Sequence, residues 1–377
     1  MNKDSESLKY SEKINHLCSD YWASRLAHRC SECVTRLSRP QSSSFDTQVI
    51  CNACRNKRYK QDINWDQRAN QFLKLVKHNR ASGRCKSFDV LIPVSGGKDS
   101  HWQIDKANAL GLDVLAVTYL PSLETEIGRL NRANLASQDI YHINISNATS
   151  MHKTLVREGF KKFGSPAIPL HMQIFHTSRR LAARYEIPMV LWGENCALEY
   201  GATNDALGKM PYSHEWFLSF GNTFGTNSVY WEDELGLAKG DLEMFADCDE
   251  KMVEPFSDFF GNYFYWNPHI AHSKAVDMGF ISDKAPLLGY YSFADLDDRL
   301  MILHHFMKYV KFGVSRTEDN LSIDIREGII SRDEAIRLLD SIPIPMIEPT
   351  DLEDFSSYMK LSLKEFTATV LSFLPKI

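Results

Sequence analysis

Residues 88–103, FDVLIPVSGGKDSHWQ, join an apolar run to a polar, glycine-rich segment. The first part, residues 89–94, is the continuous apolar run typical of a central parallel strand. From Asp99 onward apolar residues recur at roughly helical spacing and stop at Gly111, a residue type that often follows a helix end. The stretch therefore predicts a strand, a tight loop and a helix in succession.

Further apolar runs at 113–119, 140–145 and 188–192 predict more strands, and 173–185 predicts a helix. Strands alternating with helices favour an α/β fold, here a Rossmann-like, doubly wound parallel sheet. Residues 296–310 and the last ~30 residues are amphipathic, which predicts a helical C-terminal region. We expect three parts: 1–64 with a cysteine module, 65–295 with the sheet, and 296–377.

The loop of residues 95–100, SGGKDS, would lie at the carboxyl end of a strand and the amino end of a helix. Backbone N–H groups are unpaired there, the helix dipole is positive, and glycines let an anion approach the backbone. The loop is not a Walker-type P-loop, because Lys98 precedes Asp99 and the first glycine of that motif is missing. We therefore expect a phosphate site of another kind.

Composition limits the function classes. The chain has 377 residues and a formal net charge of -5, which argues against a dedicated nucleic-acid surface. Its first residues lack an apolar leader and no run of about 18 apolar residues occurs. We expect a cytoplasmic protein whose thiols stay reduced.

Four of the eight cysteines form two C-x2-C pairs separated by 17 residues: Cys30, Cys33, Cys51 and Cys54. This spacing predicts a four-thiolate structural zinc site, with a ribbon hairpin between the pairs. An iron–sulfur cluster uses the same ligands and is the second possibility for these cysteines. The third possibility is that all four are unligated thiols. We expect the other cysteines to be buried or partly buried: Cys18, Cys85, Cys196 and Cys248.

The pattern S-G-G-x-D-S after an apolar strand resembles the PP-loop of the ATP pyrophosphatases, which cleave ATP between the α and β phosphates. The resemblance implies that Mg2+ bridges the phosphates and that AMP is transferred to a carbonyl oxygen. It also implies that Lys98 offsets phosphate charge and that Asp99 helps to hold the metal ion. The other loop residues would bind the β and γ phosphates: Ser95, Gly96, Gly97 and Ser100.

Further motifs follow in a fixed order along the chain. They are the cysteine pairs with NWDQR (64–68), PVSGGKDS (93–100), Asn131 with Asn134, WGEN (192–195) with EYG (199–201), KFGVSR (311–316), DIREG (324–328), SRDE (331–334) and EDF (353–355). This order resembles the N-acetyl sugar amidotransferases of bacterial surface-polysaccharide, O-antigen and flagellin-glycan pathways. The resemblance implies that the acetamido carbonyl of a nucleotide-linked or nonulosonic sugar is adenylated and that ammonia then replaces its oxygen.

The family resemblance implies site residues outside the loop. Glu194 follows a strand at the loop's edge of the sheet, so we expect it to be catalytic together with Lys98 and Asp99. Lys311 and Arg316 would meet ATP phosphates, although surface ion pairing explains such cations equally well. Substrate-binding candidates are Asn131, Asn134, Glu194, Asn195, Glu199, Tyr200, Arg326 and Arg332.

The source of ammonia is implied to be another protein. We find no plausible Cys/His/Glu glutaminase within the chain. The resemblance implies a separate glutaminase subunit related to the one in histidine biosynthesis, sometimes with a cyclase-like barrel subunit. Aromatic residues are dense over 216–266, where core packing is the expected role and stacking on a sugar or adenine ring is the alternative.

Two other functions remain open. A tRNA thiolation enzyme would use the same adenylation to activate a base carbonyl, but it would carry catalytic cysteines or an iron–sulfur cluster and a basic surface. A non-catalytic zinc-ribbon interaction protein would carry a degenerate loop. The acidic charge disfavours the first and the intact SGGKDS disfavours the second.

Overall fold

The computed structural model describes residues 3–25, 28–36, 38, 44–201 and 212–376. Its centre is a five-stranded sheet in the order β3-β2-β1-β4-β5, and every pairing is parallel. The strands are β1 (Val90–Pro93), β2 (Val114–Tyr119), β3 (Tyr141–Ile145), β4 (Met189–Trp192) and β5 (Phe256–Phe259). The predicted parallel α/β sheet is confirmed. Strand β5 was not predicted from the sequence.

The strand order reverses between β1 and β4. Val90 lies opposite Val114 of β2 on one side, and Leu91 lies opposite Val190 of β4 on the other. Parallel strands end at the same edge of a sheet, and a crevice opens where the connections leave in opposite directions. The loops after β1 and β4 therefore meet at this point.

Helices cover both faces of the sheet and form the C-terminal region. They are α1 (Lys3–Ala23), α2 (Asn52–Gln61), α3 (Trp65–Ala81), α4 (Lys98–Ala109), α5 (Glu126–Ala136), α6 (Thr149–Phe163), α7 (Ile168–Met172), α8 (Ser178–Arg184), α9 (Cys196–Tyr200), α10 (His214–Phe220), α11 (Ser228–Leu235), α12 (Pro268–Asp277), α13 (Leu300–Phe312), α14 (Arg316–Arg326), α15 (Arg332–Ser341), α16 (Pro349–Met359) and α17 (Leu363–Ser372). Among the residues that the structure describes, no helix has both the length and the apolar character needed to cross a bilayer.

Buried apolar clusters lie on each face of the sheet. Phe72 of α3 and Trp102 of α4 pack on one face, and Phe217 of α10 packs on the other. The segment 216–266 supplies several buried rings, which confirms the expectation of core packing: Phe217, Trp231, Phe259, Phe260, Tyr263 and Trp266. Phe224 is the exposed exception among the described aromatic residues of this segment, and the side chain of Phe220 lies outside the described part.

The first helix packs against the C-terminal helices. Trp22 of α1 donates its indole N–H to the carbonyl of Val310 at 3.1 Å and lies in one apolar cluster with Phe306 and Phe355. Gly313 has a φ of +65°, and a Cβ there would lie 2.6 Å from the Trp22 ring. The two ends of the chain thus share one core.

Three predicted helices have different bounds in the structure. The helix predicted to start at residue 296 starts at Leu300, because the Asp298 carboxylate accepts the Leu300 N–H at 2.9 Å. The terminal helical pattern is two helices, separated at Lys360, whose φ is +54°. The pattern over 173–185 is a π-helical turn, Gln173–Thr177, followed by α8.

Candidate functional site

The loop after β1 is held by its own hydroxyl groups. The Ser95 N–H donates to Ser100 Oγ at 3.0 Å, and the Gly97 N–H donates to Ser95 Oγ at 3.2 Å. Helix α4 then starts at Lys98 without a side-chain N-cap. Gly96 has a φ of +90°, and a Cβ there would lie 2.6 Å from the Arg132 backbone nitrogen. The sequence therefore builds a tight loop with an uncapped helix N-terminus, as an anion site requires.

This loop forms one wall of a cavity of about 180 Å³ at the reversal point of the sheet. Glu194, which follows β4, lies in the same cavity, as predicted from its place after a strand. The opposite wall comes from residues 293–297 and Arg316. The full lining is Ser95, Gly96, Gly97, Lys98, Asp99, Gly128, Asn131, Glu194, Phe280, Phe293, Ala294, Asp295, Leu296, Asp297 and Arg316.

Opposite charges meet in the loop. Lys98 is buried, and its Nζ lies 2.5 Å from Asp99 Oδ2. The other oxygen of Asp99 accepts the indole N–H of Trp266 at 2.9 Å. The Asp99 carboxylate is thus fixed in position at the mouth of the loop, and Lys98 is held beside it.

Glu194 is a carboxyl group with an unusual proton affinity. Burial and the nearby negative charge of Asp99 raise the pKa of Glu194 to about 7. Asp297 on the opposite wall is similar, because burial and the charge of Asp298 raise its pKa to about 7. Near neutral pH both groups can take up or release a proton.

Asp295 and Arg316 form an ion pair in the opposite wall. Arg316 Nε lies 2.8 Å from Asp295 Oδ2, and burial alone would raise the pKa of Asp295, but the Arg316 charge lowers it well below its usual range. A Cβ at Gly289, whose φ is +68°, would lie 2.7 Å from Arg316 Cγ. Asp295, Asp297 and the glycine that admits Arg316 were missed by the sequence reading, since no local pattern marks them.

Gly128 of α5 is a further missed residue, and it sets the position of this wall. A Cβ at Gly128 would lie 2.5 Å from the Asp297 Cα. The backbone of the wall therefore touches the helix directly, and only glycine leaves room for it. A glycine inside a helical pattern was the available signal.

The predicted substrate residues Asn131 and Asn134 mainly hold backbone. Asn131 lines the cavity, yet its amide donates to the Ile281 carbonyl at 2.8 Å and accepts the Ile281 N–H at 2.7 Å. Asn134 donates to the Met278 carbonyl at 2.9 Å. These contacts support the segment behind the cavity wall, and a contact with substrate stays a prediction.

Three more predicted substrate residues come after Glu194 in the WGEN and EYG motifs: Asn195, Glu199 and Tyr200. Asn195 caps α9 by accepting the Ala197 N–H at 2.9 Å. Glu199 lies 2.7 Å from Lys60 Nζ, and Tyr200 is half-buried at the end of α9. Contacts within the protein hold Asn195 and Glu199 in position. Their role in substrate binding stays a prediction.

The four predicted cations are separated in space. Arg316 lines the cavity, but Lys311 donates to the Phe163 carbonyl at 3.2 Å, and burial lowers its pKa to about 8. Arg326 donates to the Glu199 carbonyl at 2.6 Å, and Arg332 donates to the carbonyls of both Cys30 and Cys33. Lys311, Arg326 and Arg332 thus bind backbone carbonyls of the protein and do not line the cavity.

The four cysteines of the two pairs converge as predicted. Cys30 Sγ lies 3.9 Å from Cys54 Sγ, and Cys33 Sγ lies 3.7 Å from Cys51 Sγ. Sulfurs bound to one tetrahedral ion at about 2.3 Å lie about 3.8 Å apart, so the set fits a single Zn2+. A multi-iron cluster distributes its thiolates over several metal atoms, and this close spacing disfavours it.

The second cysteine pair lies at the start of a helix, and the hairpin between the two pairs stays a prediction. Cys51 precedes α2 directly, so the second pair lies on a helix N-terminus, while residues 37 and 39–43 of the predicted hairpin lie outside the described part. Arg29 and Arg36 both bind Glu318 of α14. The expectation of burial is wrong for Cys196, which is exposed at the start of α9.

Comparison with known protein families finds a match for the C-terminal part of the chain. Residues 288–376 match the family model described as LPS biosynthesis protein WbpG-like, C-terminal domain. No curated protein matches the chain. Among solved structures, the NMN synthetase from Francisella tularensis is similar at 13% identity and a TM-score of 0.33, over 79% of this chain and 94% of that chain. That likeness is too low to carry an argument.

Proposed function

We propose that this protein is an ATP-dependent amidotransferase of bacterial surface-glycan biosynthesis, which converts the acetamido group of a sugar to an acetamidine. One observation supports this above the others. The cavity joins the SGGKDS loop to Asp295, Asp297 and Arg316, which lie within the segment that matches the WbpG-like domain. The part of the chain typical of that family and the part suited to phosphate thus line one cavity.

ATP would bind with its β and γ phosphates on the loop. The N–H groups at the uncapped start of α4 suit an anion, and glycine at position 96 lets the phosphates approach the backbone. Lys98 supplies a positive charge beside them. Arg316 on the opposite wall is held by Asp295, and its positive charge would attract a phosphate or a carboxylate of the sugar that enters the cavity.

The carboxylates of the cavity need a cation between them and the phosphates. Asp99 suits Mg2+, which takes one or two carboxylates together with phosphate oxygens and waters. In the described residues these carboxylates do not form a tight group of three ligands, in contrast to the cysteines. Mg2+ bound there would neutralise charge on the phosphates during the reaction.

The proposed reaction has two steps. The acetamido oxygen attacks the α phosphorus of ATP, the bond to the β phosphate breaks, and pyrophosphate leaves. Ammonia then attacks the carbon of this O-adenylyl imidate, the C–O bond breaks, and AMP leaves with the original oxygen. The loop and Lys98 would stabilise the charge that develops on the leaving pyrophosphate.

Glu194 is the group we assign to proton transfer. A carboxyl group with a pKa of about 7 can accept a proton from the attacking nitrogen near neutral pH. Asp297 has the same property on the facing wall. We further propose that ammonia comes from a separate glutaminase subunit related to the one of histidine biosynthesis, with a cyclase-like barrel subunit as conduit where one is present.

Pyrophosphate release by the purified protein tests the proposal. ATP, Mg2+ and ammonium chloride are combined with a panel of UDP-linked diacetamido sugars and nonulosonic acids, and the products are weighed by mass spectrometry. We expect AMP, pyrophosphate and a sugar about 1 Da lighter, since NH replaces O. Release with bulk tRNA and a sulfur donor, and with no sugar, would instead favour the thiolation enzyme.

A further inference from the structure

A second group of metal-ligand side chains lies in the segment between β4 and β5 and the helix before β4. It consists of His176, His214 and Asp247, whose ligand atoms all lie within 4.8 Å of one another. Among the described residues, this is the only such group besides the four cysteines. None of the three lines the cavity of the SGGKDS loop.

His176 is the member of the group whose ring lacks a hydrogen-bond partner in the described structure. Its side chain is fully buried, and neither ring nitrogen has a hydrogen-bond partner in the described structure. A buried polar group without a partner destabilises the folded state, so such groups are rare. Burial also lowers the pKa of His176 to about 4, which leaves the ring neutral and its lone pair available to a metal ion.

The backbone at His176 is unusual as well. The residue lies in the π-helical turn Gln173–Thr177, between α7 and α8. A π-helical turn inserts an extra residue into a helix and occurs often at functional sites. Here it turns His176 toward His214, whose ring centroid lies 5.6 Å away.

The other two members are already paired. His214 Nδ1 lies 2.5 Å from Asp247 Oδ2, and Arg179 Nη1 lies 2.6 Å from the same oxygen. Asp247 Oδ1 accepts the Cys248 N–H at 2.7 Å. The positive charge of Arg179 is shared with Glu254, which lies 2.7 Å from its Nη2. Donors of this kind orient a ligating carboxylate from behind.

We propose that His176, His214 and Asp247 form a second zinc site. Two imidazole nitrogens and one carboxylate oxygen suit Zn2+ better than Mg2+ or Ca2+, which prefer oxygen ligands. Ligands at about 2.1 Å from a tetrahedral ion lie about 3.4 Å apart, so small side-chain rotations close the site. Three protein ligands leave the fourth position to water.

The position of the site indicates what it does. His176 precedes β4, while His214 and Asp247 belong to the segment that joins β4 to β5. A metal ion would therefore fix this segment, which contains α10 and α11, to the layer of helices on the sheet. The inference does not depend on the proposed reaction, because no ligand of the site lies in the cavity.

Metal analysis of the full chain tests the site. The purified protein is equilibrated with Zn2+, passed through a desalting column and assayed by plasma mass spectrometry. We expect two zinc ions per chain, and one in each of the variants His176→Gln and His214→Gln. The matched control is His171→Gln, since His171 lies on the same helical stretch, half-buried and with an unpartnered Nδ1 in the described structure, and this variant should keep two zinc ions.

Measurements on the unmodified chain keep the inference testable should a variant fail to fold. A mercurial reagent that modifies thiols should release one zinc ion and leave the other bound. Cobalt substitution should give a thiolate charge-transfer band from the cysteine site and a second visible band without charge transfer. One zinc ion per chain, all of it released by the mercurial, would overturn the proposal and leave a hydrogen-bonded histidine and aspartate pair.

Discussion

The cysteine cluster and the cavity at the sheet edge both gather ionisable groups, but they differ in how those groups are partnered. The four sulfurs lie within 4.8 Å of one another, are buried, and are surrounded by structural contacts such as those of Arg332 with the carbonyls of Cys30 and Cys33. In the cavity, carboxylates and cations line open space around an uncapped helix N-terminus.

Under the proposed function, this difference separates a site that stabilises the fold from a site that carries out the reaction. A closed set of ligands binds one ion and needs nothing else, whereas an open set of charges depends on the molecules that enter it. Loss of a cysteine should therefore act on stability, and loss of a cavity residue should act on turnover.

Cys54→Ser should unfold much of the N-terminal module. Structural zinc contributes roughly 10–16 kcal/mol of binding free energy in zinc-finger peptides, so the loss of one thiolate should lower the free energy of unfolding by several kcal/mol. Thermal unfolding and zinc content measure this. The exposed Cys196 provides the control: Cys196→Ser should change stability by no more than about 0.5 kcal/mol. Equal effects of the two would contradict the division.

Lys98→Met should slow ATP-dependent pyrophosphate release by about 10²- to 10³-fold, because a charge aimed at the phosphates is lost. The melting temperature should change little. Lys311→Met is the matched comparison, since Lys311 contacts the Phe163 carbonyl outside the cavity, and turnover should stay within a few-fold. A large loss with Lys311→Met would restore the sequence-based assignment of that lysine to the phosphates.

Glu194 should give the reaction a pH dependence. Its pKa is raised to about 7, so turnover should fall about tenfold per pH unit below that value if the ionised form is the base. The folded pKa exceeds the unfolded one, so the folded state holds the proton more tightly, and stability is lost as pH rises from about 4.5 to 7.

Glu194→Gln should flatten the turnover profile and lower its plateau. It should also raise the melting temperature at pH 8 while leaving it nearly unchanged at pH 4, because the buried charge is absent. Calorimetry at both pH values measures the second effect. An equal shift at the two pH values would contradict the raised pKa.

Gly128→Ala should have the smallest effect on turnover. The added Cβ would lie 2.5 Å from the Asp297 Cα, so the facing wall must shift and the KM for ATP should rise several-fold. The control is Gly236→Ala, which meets no atom within 4 Å and lies at the end of α11 with a φ of +63°. That change should cost stability by about 1 kcal/mol without altering KM.

Much of the sheet could be predicted from the sequence. Buried parallel strands are continuous apolar runs, so β1, β2 and β4 are visible, and the loop after β1 shows its chemistry in six consecutive residues. Glu194 followed from the rule that parallel strands end at one edge. The cysteine spacing likewise predicted the convergence of its four sulfurs.

The facing wall could not be predicted, because it is built by residues distant in the chain. Asp295 and Asp297 reach the loop only because α5 has a glycine where the backbones touch. Arg332 lies in a polar segment like Arg316, and only the packing of α15 against the cysteine module separates their environments. In the four residues of β5, apolar and polar side chains alternate too little for the sequence to distinguish a strand from a loop.

An isotope label tests whether the acetamido oxygen of the sugar attacks ATP, as proposed. A substrate sugar with ¹⁸O in its acetamido carbonyl is converted with ATP and ammonia, and the AMP is analysed by mass spectrometry. We expect to find the label in the phosphate of AMP. Unlabelled AMP, or ADP with labelled phosphate, would contradict it.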